Sequence, residues 1–441
     1  MNKFKSISSL SVLLLSSITL FAQQSNYKFK FGSGKVPAGY VLVNEKSAFT
    51  PEKGYGFEPG TPVNVALGGG KDLIKQSTIT AGQPFYFSVN VPEGNYKVTL
   101  TLGDAKVKTA TTVKAEARRL MLENITTKSG EFVTKTFIVN VRNPEISTGA
   151  MVKLNDRELN SRSWDKKLTL EFNGAKPSVA ALEITKVDDQ VTVYLAGNST
   201  VVDQRAEPWA SWGQMIPRFF EPGVAFANYA ESGLTLASFK GQKRLEKILT
   251  LIKPGDYLFI EFGHNDQKMK GENDGAWKSY TDNFKYYIAE AKKKGGIPVV
   301  VTSTSRRRFD ENGKTINTLG DFPAAAKKVA ADEKVELIDL NAMTAVLYDV
   351  LGVEPSKKAF VFYPANTYPG QDKELADNTH FNPYGAYELA KCVALGIQQS
   401  NLGLKKFLIP GFSFNPSKPD AVADFDVPPS LDMDLVKPAG N

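Results

Sequence analysis

Residues 190–202 read QVTVYLAGNSTVV, and this stretch indicates the fold of the second half of the chain. The apolar run Val191–Ala196 predicts a short buried strand, and Gly197 and Asn198 are turn residues that end it. Ser199 then follows at the carboxyl end of the strand, where its hydroxyl can attack a carbonyl carbon if a base lies nearby. Taken alone the motif is weak, because Gly-x-Ser turns are common in loops.

Strand-like and helix-like segments alternate along the chain after this motif. Further apolar strands are predicted at Val224–Asn228, Tyr257–Phe262, Ile297–Thr302 and Val335–Ile338, and helices at Trp209–Phe220, Leu234–Ile252, Trp277–Lys294 and Asp321–Ala331. This alternation predicts a parallel sheet with helices on both faces. Ligands of such sheets bind at the carboxyl ends of the strands, so polar residues that follow the strands are candidate site residues.

The first half of the chain has the pattern of an all-β domain. Short alternating runs separated by Gly, Pro and Asn occur at Phe85–Val91, Tyr96–Leu102, Lys135–Val141 and Lys167–Phe172. They predict a sandwich or jelly roll, with the chain turning at Pro92-Glu93-Gly94. The pattern changes near Asp188, which predicts domains at 23–187 and 188–406. The Pro- and Asp-rich tail, 407–441, is expected to lie extended over the second domain or to be partly disordered.

Residues 1–22 have the features of a cleaved secretory signal peptide. Lys3 and Lys5 precede an apolar and small-residue run, Ser11–Phe21, which is too short to span a bilayer. Cleavage is expected after Ala22, near the end of this run. We therefore expect a protein that is secreted, or retained in the periplasm or at the cell surface of a bacterium.

Composition and charge exclude several classes of protein. The single cysteine, Cys392, rules out an intramolecular disulfide and a cysteine-rich zinc site, and we expect it to be a small core residue. The formal net charge of +7 falls to +5 without the two lysines of the predicted signal, and a modest positive field suits an acidic substrate such as a uronic-acid polymer. No basic, aromatic-interleaved array indicates nucleic-acid binding, and no membrane span is predicted after the signal.

Three further polar motifs could complete a hydrolytic site. In Asp377-Asn378-Thr379-His380, a carboxylate three residues before a histidine can accept its Nδ1 proton and leave Nε2 as a base. Asn265, in the FGHND of residues 262–266, could direct an amide donor at an oxyanion, an interaction worth roughly 3–4 kcal/mol. Gly233, in the ESG of residues 231–233, could offer a main-chain N–H.

Other residues are candidates for substrate binding. His264 has no acidic partner at a fixed spacing, so a structural or binding role is favoured over that of the base. Arg306, Arg307 and Arg308 follow a predicted strand and could pair with uronate carboxylates, although a solvated basic loop explains them equally well. Trp209 could stack on a sugar ring, with core packing as the alternative.

Together these four motifs resemble the four sequence blocks of the SGNH (GDSL-like) hydrolase family, and among its members they are most similar to the rhamnogalacturonan acetylesterases. The resemblance implies a flavodoxin-like α/β fold in which Ser199 is the nucleophile, His380 the base and Asp377 its orienting partner. It also implies an oxyanion hole formed by the N–H groups of Ser199 and Gly233 and the side chain of Asn265, with no metal or organic cofactor.

Two positions depart from the family pattern. Asn198 stands where the family usually has Asp, which keeps an acceptor oxygen for the turn but loses the charge. Leu234 stands where related pectin-active esterases often have Arg, which bears on the sugar backbone more than on the reaction. The first half resembles the galactose-binding-like β-sandwich of bacterial polysaccharide esterases, through Tyr55–Glu58 and Phe85–Leu102. That resemblance implies glycan binding or a wall of the cleft, with a purely structural cap as the alternative.

The implied function is that of a secreted serine esterase that removes O-acetyl groups from a pectic polysaccharide, rhamnogalacturonan above all. Its expected partner is therefore an acetylated, acidic plant polysaccharide. Two alternatives remain open: an acetylxylan esterase, lipase or thioesterase on the same fold, and a catalytically inactive glycan-binding protein. The presence of every expected catalytic residue type argues against the inactive protein.

Overall fold

The computed structural model describes residues 26–439, so the predicted signal peptide lies outside the described residues. The first twelve strands form a β-sandwich of two sheets. Their bounds are β1 Asn26–Phe31, β2 Val41–Val43, β3 Tyr55–Phe57, β4 Asn64–Leu67, β5 Ser77–Thr80, β6 Phe85–Asn90, β7 Gly94–Gly103, β8 Thr109–Ala115, β9 Arg119–Thr127, β10 Phe132–Val141, β11 Lys167–Lys176 and β12 Ser178–Val187.

Alternate residues along the strands point between the two sheets and form the core of the sandwich. One sheet has the order β10-β7-β12-β1-β2, with β5 also paired to β12 and β4 to β5, and the other has the order β3-β6-β11-β8-β9. Phenylalanine rings from both sheets meet between them, as where Phe31 contacts Phe87 edge-on at 5.1 Å. Because β6 and β7 belong to different sheets, Pro92-Glu93-Gly94 carries the chain between sheets and does not close a hairpin.

The second domain is built on a five-stranded parallel sheet. Its strands are β13 Val191–Gly197, β14 Val224–Asn228, β15 Tyr257–Glu261, β16 Ile297–Val301 and β17 Glu336–Ile338. They lie in the order β14-β13-β15-β16-β17, the flavodoxin-like order of a doubly wound sheet. The predicted fold class, a flavodoxin-like α/β domain preceded by an all-β sandwich, is therefore confirmed.

Among the described residues, seven α-helices cover the parallel sheet. Their bounds differ from the predicted ones where the backbone turns sharply. The helices are α1 Trp212–Met215, α2 Leu236–Gly241, α3 Arg244–Leu251, α4 Thr281–Lys293, α5 Phe322–Asp332, α6 Leu340–Leu351 and α7 Pro383–Gln399. The single helix predicted at Leu234–Ile252 is wrong, because the chain breaks after Gly241 and Lys243 takes a left-handed φ of 61°. Cys392 is buried within α7.

Two strands of the second domain were not predicted. β18 Phe360–Tyr363 and β19 Leu375–Phe381 form a two-stranded antiparallel sheet beside the parallel one. β19 has the sequence LADNTHF, whose polar residues mask the strand pattern, and it carries Asp377 and His380. The described residues contain no helix that is both long and apolar enough to cross a membrane.

The two halves of the molecule share hydrophobic packing. Leu120 of β9 belongs to the core on one face of the parallel sheet, and Trp164 belongs to the core on the other face. Buried charges also cross the boundary: Arg119 Nε lies 3.2 Å from Asp203 Oδ2, and Arg142 Nη2 lies 3.4 Å from the same oxygen. Burying a guanidinium without a partner is costly, so these pairs fix how the halves fit together.

After α7 the chain crosses back over both halves in an extended path. Ile409 N donates to Phe219 O at 3.0 Å, and Phe425 packs against the rings of Tyr384 and Tyr387. Further along, Ser430 Oγ donates to the sandwich residue Glu171 at 2.7 Å. We call residues 430–439 the strap, because they pass over the carboxyl edge of the parallel sheet.

Candidate active site

The parallel sheet brings the predicted site residues to one edge. Ser199 follows β13, Gly233 follows β14, Asn265 follows β15 and Arg306 follows β16. Since these four strands are neighbours and parallel, the loops that leave their carboxyl ends are also neighbours.

The turn that carries Ser199 is held by hydrogen bonds to its main chain. The carbonyl oxygen of Ser199 accepts from Ser211 Oγ at 2.6 Å and from Gln204 Nε2 at 3.1 Å. Asn198 Oδ1 accepts from the N–H of Thr200 at 3.1 Å, so the side chain that replaces the family's Asp still supplies an acceptor to the turn. The Ser199 side chain therefore projects from a backbone whose orientation is fixed.

A buried carboxyl group, Glu261, lies beneath this turn. Its two oxygens contact Thr200 Oγ1 at 2.7 Å and Trp212 Nε1 at 2.5 Å. Burial away from any cation raises the pKa of Glu261 to about 7. Thr200 Oγ1 also lies 3.0 Å from Asn198 Oδ1, and one hydroxyl proton cannot serve both contacts. A protonated Glu261 satisfies both, because it donates to Thr200, which then donates to Asn198.

Asp377 and His380 form the predicted pair. His380 Nδ1 lies 2.8 Å from Asp377 Oδ2, and Asp377 Oδ1 accepts from the main-chain N–H groups of Thr379 at 2.8 Å and His380 at 3.0 Å. Burial alone would raise the pKa of Asp377, but the imidazole and the two N–H groups outweigh it and hold that pKa well below its usual range. The ionised carboxylate fixes the Nδ1–H tautomer, so Nε2 is the nitrogen that exchanges protons with a nucleophile.

Residues 209–212 join the histidine strand to the serine turn. Ala210 N donates to Phe381 O at 2.9 Å, and the ring of Trp209 meets that of His380 edge-on at 5.7 Å. Ser211 holds the Ser199 carbonyl, as described above. Residues 209–212 therefore contact both the turn that carries Ser199 and the strand that carries His380.

The loops after β14 and β15 place the predicted oxyanion donors together. Glu231 N donates to Gly197 O at 3.3 Å, which ties the Gly233 loop to the serine turn. Asn265 Nδ2 donates to Leu234 O at 3.1 Å, and an amide nitrogen carries a second hydrogen for a ligand. Gly233 has a left-handed φ of 82°, a backbone conformation that glycine adopts without strain.

His264 lies at the same edge but is buried and held by the protein. Its Nε2 lies 2.8 Å from Thr304 O, which makes Nε2–H the donor. Burial and the nearby Arg306 guanidinium lower the pKa of His264 to about 3, so the imidazole is neutral. Its Nδ1 has no hydrogen-bond partner within residues 26–439. A neutral Nδ1 can accept a hydrogen bond from a sugar hydroxyl but cannot pair with a carboxylate. The predicted substrate-binding role of His264 therefore stays a prediction.

The three consecutive arginines have three different environments. The Arg306 guanidinium interacts electrostatically with Asp377 and donates from Nη2 to His264 O at 3.4 Å. Arg307 is buried, and its Nε and Nη1 donate to Ser356 Oγ at 3.0 Å and Asn378 Oδ1 at 2.8 Å, with Nη2 on Val353 O. The predicted uronate contact does not fit Arg307, because every nitrogen of its guanidinium is already engaged. Arg308 is exposed.

The strap covers this edge. Trp209 is only 3% exposed, and its Nε1 donates to Asp434 O at 2.8 Å, so the predicted stacking face is covered while the strap is in place. Lys437 Nζ lies 3.3 Å from Asp377 Oδ2. A Cβ added at Gly233 would stand 3.3 Å from the Cβ of Ala439. The strap therefore reaches both the triad and the oxyanion loop.

Sequence reasoning did not identify the residues that support the nucleophile. Glu261 gave a signal, as a lone charge at the end of the apolar strand YLFIE. Gln204 and Ser211 gave none, because they are polar residues in a loop and their contact with Ser199 depends on how that loop folds back.

Both halves of the chain are similar to known protein families. Residues 195–386 match the GDSL-like Lipase/Acylhydrolase family, and residues 27–147 match the Beta-agarase/YXIM esterase-like, galactose-binding domain-like family. Rhamnogalacturonan acetylesterase RhgT of Bacillus subtilis is 43% identical over 221 residues, which cover 50% of this chain and 94% of that protein.

A second protein of that organism is similar over both halves. The uncharacterized esterase YxiM of Bacillus subtilis is 27% identical over 406 residues, covering 89% of this chain and 94% of that protein. Its crystal structure superposes with a TM-score of 0.45 at 25% identity, covering 86% of this chain and 99% of the other.

Proposed function

Because the chain belongs to the GDSL-like lipase/acylhydrolase family, we propose that it is a serine carbohydrate acetylesterase that removes O-acetyl groups from a pectic polysaccharide, rhamnogalacturonan in particular. The observation that carries the proposal is the Asp377–His380 pair, tied through residues 209–212 to the Ser199 turn. Such a pair beside a fixed serine is the arrangement of a nucleophilic acyl transferase.

The proposed reaction proceeds through an acyl-enzyme. Ser199 Oγ attacks the acetyl carbonyl carbon while His380 Nε2 takes the hydroxyl proton, and Asp377 stabilises the imidazolium. The N–H groups of Ser199 and Gly233 and the Asn265 amide stabilise the oxyanion. The sugar oxygen leaves with the proton from His380. Water, deprotonated by the same nitrogen, then attacks the acyl-enzyme and releases acetate.

Two observations favour a pectic substrate over the other acetylated polymers. The first is the similarity to rhamnogalacturonan acetylesterase RhgT over nearly the whole length of that protein. The second is electrostatic: the Arg306 guanidinium interacts with Asp377, and the chain without its predicted signal peptide carries a net charge of +5. Uronate carboxylates of a pectic backbone complement such a field, whereas xylan and lipids supply fewer anionic groups.

The proposal is tested by acetate release from acetylated rhamnogalacturonan, with the purified wild type and Ser199→Ala. Robust release that disappears in the variant is the expected result. Ser199-dependent cleavage of a small acetyl ester without release from the polymer would contradict the pectic substrate and keep the mechanism. Undiminished release by Ser199→Ala would contradict the mechanism. Acetylated xylan and a long-chain ester, assayed in parallel, distinguish the alternative enzymes.

We also propose that the protein is exported after cleavage near Ala22, on the strength of the basic start and apolar run of residues 1–22. N-terminal sequencing of the protein isolated from its native host should give a chain that begins at Gln23. Recovery of the intact N-terminus from the cytoplasm would contradict this expectation.

A further inference from the structure

A cavity of about 620 Å³ opens between the sandwich, the segment at 159–165, the loop after Ser199 and the strap. None of its lining residues takes part in the proposed reaction. Cavities of this size at the boundary of two domains are common binding sites for small molecules and sugars. The cavity is polar, and its lining includes the cations Arg162, Lys167 and Arg205, each paired with a carboxylate.

Two arginines of the cavity are paired with carboxylates of the strap. Arg205 Nη2 donates to Asp434 Oδ2 at 2.6 Å, and Arg162 Nη1 donates to Asp432 Oδ2. The Arg162 guanidinium also lies 4.2 Å from the centre of the Tyr86 ring, which holds its plane in place. Within residues 26–439, neither arginine has another acid at ion-pair distance.

The third cation of the cavity is engaged differently. Lys167 Nζ lies 2.9 Å from Glu58 Oε1 and 3.8 Å from Asp165 Oδ2, both in or next to the sandwich. The sandwich thus neutralises its own lysine, while the two arginines depend on the strap. The side chains of Arg162 and Arg205 are 29% and 42% exposed, so a ligand from solvent can reach them.

The cavity is close to the catalytic centre. Asp434 supplies the carbonyl oxygen that accepts from Trp209, and Trp209 in turn meets His380 edge-on. One side chain therefore separates the cavity wall from the base. Ala439, the strap residue beside Gly233, is five positions after Asp434, so the two lie at most roughly 18 Å apart. A short oligosaccharide can bridge that distance.

We propose that this cavity binds the uronate carboxylates of an anionic glycan, through Arg162 and Arg205, and that Asp432 and Asp434 of the strap occupy the arginines in the free enzyme. A planar guanidinium recognises a sugar carboxylate with the same paired geometry as an aspartate. Partly exposed ion pairs are weak, so a ligand that carries several carboxylates can replace them. The choice of a uronate ligand rests on the proposed pectic substrate, and the site would extend the cleft beyond the acetylated sugar.

The test measures binding of a non-acetylated oligogalacturonate to the full-length protein by isothermal titration calorimetry at low ionic strength. Arg162→Gln and Arg205→Gln are each expected to weaken binding about 10-fold or more, because each removes a guanidinium that the strap now occupies. Asp432→Asn combined with Asp434→Asn should tighten binding several-fold, since it weakens the internal competitor. Arg218→Gln is the matched control, because Arg218 pairs with Glu123 outside the cavity.

Thermal melting of each variant shows whether it is folded, and the Asp-to-Asn variant tests the site without removing an arginine. Equal affinity of the wild type and both arginine variants would overturn the proposal, as would absence of binding to the wild type and to the Asp-to-Asn variant. A decrease in affinity on changing the two aspartates would also overturn it. The calorimetric ligand carries no acetyl group, so this binding test does not depend on catalysis. A failure of the proposed function would instead appear as the absence of Ser199-dependent acetate release.

Discussion

Arg118 of the sandwich donates from Nη1 to the carbonyl oxygen of Trp209 at 2.9 Å, and Trp209 is the residue whose ring meets the catalytic base candidate. The same nitrogen donates to Gln204 O at 3.2 Å, and Gln204 holds the Ser199 carbonyl. Arg118 Nη2 pairs with the buried Glu207. The sandwich therefore supports the loop that connects the nucleophile to the base, which is more specific than the purely structural cap considered from the sequence.

Arg118→Ala is expected to lower both stability and turnover. Removing one partner of a buried ion pair leaves Glu207 without its direct partner, and such a loss costs about 3–5 kcal/mol in comparable sites. The measurements are urea denaturation and kcat on a small acetyl ester. Arg308→Ala, at an exposed arginine away from this contact, is the control and should retain its stability to within about 0.5 kcal/mol. Wild-type stability in Arg118→Ala would show that this support contributes nothing.

Asp377→Asn is expected to reduce kcat by roughly 10²–10⁴-fold with little change in KM. The amide cannot stabilise an imidazolium, and it favours the wrong tautomer of His380. Steady-state kinetics on a small acetyl ester are the measurement, with Asp372→Asn on the preceding loop as the control. A kcat within threefold of the wild type would remove Asp377 from the catalytic machinery.

Glu261→Gln is expected to flatten the pH dependence of stability. The folded-state pKa of about 7 lies above the ordinary value of 4.5, so the stability that Glu261 contributes is fully present below about pH 4.5. It is lost as pH rises through 7, which lowers the free energy of unfolding by up to about 3 kcal/mol over that range. Glutamine stays neutral and lacks this slope.

Urea denaturation of the wild type and Glu261→Gln at pH 5 and pH 8 checks this expectation. The variant should gain stability relative to the wild type at the higher pH. If the difference in unfolding free energy between the two proteins is the same at both pH values, Glu261 is already ionised at pH 5. Glu261 would then not donate to Thr200, and the proposed chain of hydrogen bonds to Asn198 would be wrong.

Arg307→Ala and Arg308→Ala form a matched pair. The Arg307 guanidinium donates from Nη1 to Asn378 Oδ1 at 2.8 Å, so its loss should loosen the strand that carries Asp377 and His380. We expect a lower kcat and a destabilisation of about 2–3 kcal/mol for Arg307→Ala, and changes within about 0.5 kcal/mol for Arg308→Ala. Equal effects in the two variants would exclude the positioning role.

The parallel sheet could be predicted because its strands are buried on both faces and read as continuous apolar runs. The residues after those strands could be predicted for the same reason, since strand ends fix where Ser199, Gly233 and Asn265 meet. β19 could not, because LADNTHF has neither alternation nor a continuous apolar run. The helix break at Lys243 depends on a single residue with a left-handed φ, which local helix propensity does not predict.

Contacts between distant residues were beyond the reach of sequence patterns. Arg118 lies 91 residues before Trp209 and Arg162 lies 270 residues before Asp432, and no periodicity links such pairs. The path of the strap is of the same kind, because its course is set by ion pairs and main-chain bonds to both halves. Such contacts follow from the assembled fold, whereas the triad motif follows from local spacing.

The turn between β8 and β9 also constrains how this protein can evolve. A recombination event that exchanged the sandwich for an unrelated module would remove the Arg118 guanidinium that donates to the carbonyl oxygens of Gln204 and Trp209. The buried Arg118 guanidinium and the Glu207 carboxylate also depend on each other as ion-pair partners, so a change at one favours a change at the other. Arg118 and Glu207 should therefore covary among proteins that carry both halves.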